Sequence, residues 1–387
     1  MTSDFDLTDP NVLLDPLAAY ARAREQGPVT TVRAPGLGAM VAVTRHDDVR
    51  AVLTDPRFEV NSASFLRPPG IPEHCLRYLR TMSELDGPEH LRLRRLVSPA
   101  FTARRAQEYR PRIEPLVDAL LDDLPNEVDL LDAFARPLPV DVICELVGVP
   151  SADRAHWRHY GRAISSGDGK AFIEAIPAIV DAARDLVARK RVEPGDDVVS
   201  DLIAVEGEKL DETELVTLVW HLVLAGQTPA NLIGNSVAAL LANPDQLATL
   251  RSTPSLWPRA VEELSRFTGP TLLTVPRYAR EDADVAGVPV KKGDAVLAAV
   301  ASACHDPRAF PNPDTLDVTR QERTQLNFGH GPHFCLGASV ALVETEVALT
   351  RLFTRYPNLT TTTPPQPAAD PGTWRLSSLP VRLNPIP

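Results

Sequence analysis

Apolar residues recur at every third or fourth position along most of this chain, a period that predicts a mainly α protein with small β-sheets. Pro16 to Glu25 reads as a first helix and His46 to Thr54 as a second. Between them, Val29 to Thr44 alternates with a period of two and carries Gly36 and Gly38, which predicts a short hairpin. Asn61 to Pro72, rich in Pro, Ser and Gly, reads as a long loop. His90 to Ser98 and Arg104 to Leu121 are helical, the former strongly basic. Val140 to Val147 and Ala152 to Ile164 read as short helices and Ser165 to Lys170 as a polar turn. Ala171 to Arg191 is an amphipathic helix closed by Pro194-Gly195.

The longest helical pattern runs from Asp211 to Ala242. Asp211 with Glu214 makes a capping-box start, and Asn243-Pro244 makes a stop. About 32 residues at about 1.5 Å each span roughly 48 Å. Leu215 to Leu232 is apolar on nearly every face, so this helix is expected to cross the interior. Trp257 to Thr268 is a further helix, and several short strands follow between Leu272 and Ala299. Asp306 to Asp317 is Pro-rich and irregular, and Leu336 to Thr354 is the last long helix. Length alone suggests two or three domains, at roughly 100–200 residues each. No internal repeat or clean linker divides the pattern, so a single domain over 1–387 is expected.

Charge narrows the classes of function. Lys+Arg is 40 and Asp+Glu is 51, a net charge of −11 that argues against a general nucleic-acid binder. A hydrophobic content of 44% with 24% charged residues excludes disorder, collagen and coiled coil as whole-chain descriptions. The 37 prolines are about twice the usual share, and they are expected in irregular loops. No run of 18 apolar residues is present, so no membrane span is expected. Met1 to Pro16 has neither a basic nor an apolar signal-peptide region, so a cytoplasmic location with reduced thiols is expected.

The four cysteines, Cys75, Cys144, Cys304 and Cys335, lie too far apart for zinc-ribbon, thioredoxin or disulfide-scaffold spacing. Cys335 alone sits in an unusual setting, Phe328-Gly329-His330-Gly331-Pro332-His333-Phe334-Cys335-Leu336-Gly337, immediately before a helix. Three glycines in ten residues make a tight loop that presents one thiol at a helix N-terminus, where the helix dipole and free N–H groups favour the thiolate. One thiolate cannot hold zinc alone, but it can be the single protein ligand of a heme iron. Cys75, Cys144 and Cys304 carry no motif and read as structural.

The segment resembles the heme-binding loop of the cytochrome P450 family, the heme-thiolate monooxygenases. The family pattern F-x-x-G-x-x-x-C-x-G is met by Phe328, Gly331, Cys335 and Gly337. The resemblance extends over essentially the whole chain and implies heme b (iron-protoporphyrin IX) between the long central helix and the Cys loop. It makes Cys335 the metal ligand, with Phe328, Gly329, Gly337 and Ala225 against the cofactor. It also implies that His90, Arg94, Arg277 and His333 hold the heme propionates, a task that suits paired basic donors. Glu263-Leu264-Ser265-Arg266 matches the family's E-x-x-R, and the resemblance gives Glu263 and Arg266 a structural role, buried and bracing the heme loop.

The distal helix departs from the family pattern A-G-x-(Asp/Glu)-Thr, whose acid and alcohol supply protons for dioxygen activation. Here Leu224-Ala225-Gly226-Gln227-Thr228-Pro229-Ala230-Asn231 is one residue short. Aligned from the C-terminal side, Thr228 is the catalytic alcohol and Gln227 stands at the acid. Aligned from the N-terminal side, Thr228 takes the acid position and Pro229 the alcohol. The longer match through Asn231 to Gly234 favours the first register. Neither supplies a carboxylate, and Gln cannot relay a proton by titrating. Pro229 also removes the N–H that would bond the carbonyl of Ala225, which predicts a kink. Water or a substrate hydroxyl is the expected proton source.

The resemblance further implies dioxygen as co-substrate and separate ferredoxin and ferredoxin-reductase partners, docking near Arg92, Arg95, Arg104 and Arg105. It implies hydroxylation or epoxidation of a medium-to-large lipophilic specialised metabolite, of the antibiotic-biosynthesis kind, by a monomer. Substrate contacts are expected from Asn61 to Ser83, Ile164 to Ile179 and Leu272 to Val275, with Phe65, Leu66, Phe172, Val223, Leu224, Leu273 and Ser378 among them. Oxidative C–C or C–O coupling, or a peroxide-driven reaction, is the alternative that the missing acid suggests. A heme-based sensor or carrier without turnover is the reading from another class.

Overall fold

The protein, seen as a computed structural model, is described over residues 4–34, 38–65, 67–165, 168–322 and 324–383. Gly36 and Leu66 lie outside these residues.

The predicted hairpin forms. Val29–Ala34 (β2) pairs antiparallel with Gly38–Val43 (β3), and both faces are covered, with Val32 and Ala42 buried in one apolar cluster and Val43 in another. With Asp4–Asp6 (β1), Phe58–Glu59 (β4), Arg277–Ala279 (β5) and Ala295–Ala298 (β6) they make one six-stranded sheet, ordered β1-β2-β3-β6-β5-β4. Helices Pro16–Gln26 (α1) and His46–Thr54 (α2) lie against it.

Apart from one three-stranded and two two-stranded sheets and irregular connections, the rest of the described chain is mainly helical. Gly87–Val97 (α3), Ala103–Asp122 (α4), Pro137–Val147 (α5), Arg154–Ser165 (α6) and Gly169–Val192 (α7) precede the central segment. Trp257–Thr268 (α10) and Ala338–Arg355 (α11) follow it, the numbers between being kept for the two long pieces of the central segment. One continuous apolar core joins these helices, with α11 lying along α4 and against α10. The prolines are less confined to loops than expected, because Pro111 and Pro115 sit inside α4 and Pro177 inside α7. Others open helices, where the missing N–H costs nothing.

The central helix is the largest departure from expectation. It is two helices, Glu212–Ala225 (α8) and Pro229–Ala242 (α9), separated by Gly226, Gln227 and Thr228. The capping box of Asp211 and Glu214 forms as predicted. Pro229 cannot donate to Ala225, and the freed carbonyl accepts instead from Thr228 N (3.4 Å) and Thr228 Oγ1 (3.1 Å). What the sequence pattern suggests as a kink is therefore a break, with Pro229 opening a new helix.

The chain between β6 and α11 has little regular structure and is held by buried charge. Arg266 of α10 makes a bidentate pair with Glu263 (2.7 and 2.8 Å) and donates to the carbonyls of Cys304 and Pro313, both at 2.8 Å. Arg320 joins at 3.0 Å from Glu263 and donates to Pro311, Asn312 and Thr315 carbonyls. Glu263, Arg266 and Arg320 are all buried, so two guanidiniums satisfy the Pro-rich stretch where no ladder could. Removing the shared carboxylate leaves two buried guanidiniums without a counter-charge. Glu263→Leu is expected to lower stability by about 3–5 kcal/mol, read as a loss in the denaturant midpoint.

Candidate active site

One internal cavity of about 530 Å³ lies between the α8–α9 break and the loop before α11. Ala225 and Thr228 belong to the central segment and still have exposed surface, because they border this space. Its floor is the loop Phe328 to Gly337. Cys335 N donates to Phe328 O at 2.8 Å, and Phe334 N donates to Gly331 O at 3.0 Å, which closes the loop on itself. Gly329 and Gly331 have φ of +73° and +75°, a region that disfavours other residues. A Cβ at Gly331 would lie 2.8 Å from Thr54 Cγ2 and 3.0 Å from Leu53 O, so glycine also lets the loop pass α2. Just upstream, Asn327 donates to Ser265 Oγ of α10 (3.1 Å) and accepts from Thr271 N, fastening the loop's start to the buried charge network.

Cys335 is the one cysteine not packed away; Cys75, Cys144 and Cys304 are buried. Its thiol opens into the cavity, with α11 beginning three residues later. Burial pushes the thiol up, while the N–H groups of Gly337 and Ala338 and the charge of Arg94 pull the other way. The expected helix-terminus stabilisation is present, but alone it does not offset desolvation. A positively charged partner on the sulfur would do so.

Around the edge of the cavity stand the four basic residues expected to hold carboxylates: His90, Arg94, Arg277 and His333. The rings of His90 and His333 stack with centroids 4.2 Å apart. His90 Nδ1 is buried with no hydrogen-bond partner, and the buried His333 Nε2 has only a long contact, 3.5 Å, to Asp86 Oδ1. Burial, with His333 and Arg94 nearby, brings His90 down to about 4, so its imidazole is neutral. Arg277 is buried and makes no ion pair among the described residues; burial lowers its pKa, and the charge of Asp86 only partly counters that. An unpartnered ring nitrogen and a buried guanidinium with no ion-pair partner, beside a lone thiol, suit a large, flat, dianionic metal cofactor.

The break forms the roof. Thr228, Pro229 and Ala225 line it, as do Phe65 and Leu273. Gln227 does not. Its Nε2 donates to Leu224 O (2.8 Å), and its amide sits so close to Gly161 of α6 that a Cβ there would meet Oε1 at 1.9 Å. The side chain expected at the acid position is therefore turned away from the cavity. Val223 and Leu224 are buried in the core, Phe172 packs against that core from α7, and Ser378 lies on a two-stranded sheet; none of the four lines the cavity. On α8 His221 and Leu222 line it together with Ala225, in place of the expected Val223 and Leu224. His221 and Glu344 of α11 escaped the sequence reading. A His within the apolar Trp220-His221-Leu222-Val223, four residues before Ala225, was the available signal. Burial holds the Glu344 carboxyl well above the usual range.

The basic face expected to dock an electron donor is largely self-compensated. Arg92 pairs with Glu214, and Arg104 and Arg105 both reach Glu108 at 3.0 Å, leaving Arg95 exposed without an ion pair among the described residues.

The family described as Cytochrome P450 matches residues 255–382, which hold the charge network and the Cys335 loop. Cytochrome P450 107B1 of Saccharopolyspora erythraea is 42% identical over 387 aligned residues, covering 95% of this chain and 93% of its own length. The chain belongs to the cytochrome P450 family. It is a P450 monooxygenase, of a family for which heme-iron binding is intrinsic. The 6-deoxyerythronolide B hydroxylase of the same organism is 39% identical, covering 99% of this chain and all of that one. Among solved structures, the bacillaene polyketide synthase P450 PksS of Bacillus subtilis 168 superposes with a TM-score of 0.90 at 32% identity, covering 98% and 99%. No helix among the described residues of this P450 is long and apolar enough to cross a membrane.

The Gly161–Gln227 contact is open to test. Gly161→Ala is expected to expel the Gln227 amide and cost the bond to Leu224, about 1 kcal/mol. In a Gln227→Ala background the same change should cost almost nothing, as measured by thermal unfolding of the four proteins.

Proposed function

We propose that this P450 binds heme b in the cavity with Cys335 as the iron ligand and His90, Arg94, Arg277 and His333 around its two propionates. The observation that carries the reading is the convergence on one cavity of a single open thiol, the unpartnered His90 ring nitrogen and the buried Arg277. When bound, the heme would activate dioxygen, one atom of which enters the substrate by hydroxylation or epoxidation while the other leaves as water with the two supplied electrons and two protons. The 387 residues act as one unit, monomeric and cytoplasmic, with electrons from a ferredoxin and its reductase arriving near Arg95.

The chain's own residues do the rest. Gly337 and Ala338 direct N–H groups at the sulfur and Arg94 places its charge beside it, which offsets part of the cost of a buried thiolate and leaves the rest to the iron it would ligate. The roof, with Phe65, Leu222, Leu273 and Val275, excludes water and orients a lipophilic substrate. The name of the related 6-deoxyerythronolide B hydroxylase and that of the polyketide synthase P450 support a specialised metabolite of polyketide type. Thr228 Oγ1, held by the carbonyl of Ala225, is the distal alcohol, and it hands on a proton drawn from water or a substrate hydroxyl.

Reduction under carbon monoxide should give the thiolate-ligated spectrum in the wild type and not in Cys335→Ser; a full signature in the variant would remove Cys335 from the role. Because Gln227 faces α6, Gln227→Glu should leave product formed per NAD(P)H consumed unchanged. Thr228→Ala should lower that ratio several-fold. Improved coupling in Gln227→Glu would mean that position 227 reaches the reacting oxygen after all.

A further inference from the structure

Among the hydroxyls of the cavity wall, most are committed to the backbone. Thr228 Oγ1 donates to Ala225 O and Thr271 Oγ1 to Asn327 O (3.2 Å), while Thr274 Oγ1 accepts from Ala298 N (3.1 Å). Ser83 differs. It lines the cavity, and its one side-chain hydrogen bond among the described residues is with His221 Nε2 of α8, at 3.1 Å. Val142, Ile143, Met82, Phe101 and Leu222 make the surrounding wall apolar.

We propose that Ser83 and His221 form a hydrogen-bonding subsite that selects, among lipophilic substrates, those carrying a carbonyl or hydroxyl oxygen at a matching position. The inference rests on reading this cavity as the substrate site of an oxygenase. Two further observations support it. His221 Nδ1 is buried without a partner. Desolvation holds the imidazole down to about 4, hence neutral, so one ring nitrogen carries the hydrogen. A lone pair is the less costly group to leave unpaired at Nδ1, which puts the hydrogen on Nε2, donating to Ser83 Oγ. The Ser83 hydroxyl hydrogen is then free to point into the cavity as a donor.

The pair is also held in place before any ligand arrives. Tyr78 O accepts from Trp220 Nε1 (3.1 Å) and Thr217 Oγ1 (3.3 Å), which straps the segment before Ser83 to the same helix that carries His221. Glu84 pairs with Arg67, which donates to Leu79 O at 3.3 Å. Both sides of the subsite are therefore preorganised, so little ordering opposes recognition.

The test compares cyclooctanone with cyclooctane, nearly equal in shape and differing in one acceptor oxygen. Headspace partitioning gives a Kd for each with the holoprotein. The preference for the ketone should fall about three- to tenfold in Ser83→Ala and in His221→Leu. It should fall no further in the double variant and be largely kept in His221→Gln. A preference that survives both single changes overturns the subsite. Binding of neither probe by the wild type overturns it together with the lipophilic-cavity reading. The carbon monoxide spectrum, recorded on every variant, separates these outcomes from failure of the heme assignment, because it does not depend on the ketone preference.

Discussion

The Glu263 carboxylate, enclosed between the guanidiniums of Arg266 and Arg320, is the constraint on which the catalytic side depends. Its charge is affordable in the interior only because both arginines are there, and the arginines are satisfied only because their remaining donors find carbonyls of an otherwise unsupported stretch. Helix α10 thereby fixes residues 304–320 in space. Ser265 and Asn327 then pass that position to the loop bearing Cys335. A thiol at the mouth of α11 keeps its height relative to the roof because the segment leading to it has no freedom to settle elsewhere.

The two sides of the cavity solve different physical problems. The floor concentrates positive charge and unpaired donors, which is stable only beside a large anionic partner. The roof is apolar and owes its shape to a break that a shortened sequence and one proline impose. Gly226 contributes there too, since a Cβ on it would meet Ile143 of α5 at 2.4 Å. The Thr228 hydroxyl and amide both turn back to Ala225, so the break heals its own unpaired carbonyl and leaves the cavity wall smooth.

Much of this was legible in the sequence where a residue's meaning is local. Helices His46–Thr54 and Trp257–Thr268 begin and end where periodicity puts them, and the glycines around Cys335 announce a loop that only glycine can make. The place of the break was legible from the missing residue and Pro229, but its extent was not, because an unbroken apolar pattern is what two successive half-helices also present. Residue direction was the other loss. Leu222 lines the cavity in place of Val223 and Leu224, and one position on a helix turns a side chain by roughly 100°. Arg320 was missed as the third member of the charge network because its partner lies 57 residues away. The self-neutralised pairs of Arg92, Arg104 and Arg105 were likewise invisible to a count of basic residues.

The contact between Gly161 and Gln227 has a bearing on how this chain can change over generations. The two positions belong to different helices, yet they share one volume, so neither evolves alone. A lineage that gains a side chain at 161 must first shorten or redirect the one at 227. A lineage that restores an acid there and turns it toward the cavity vacates the space that keeps 161 a glycine. In an alignment of descendants, these two columns should drift together while their neighbours move freely.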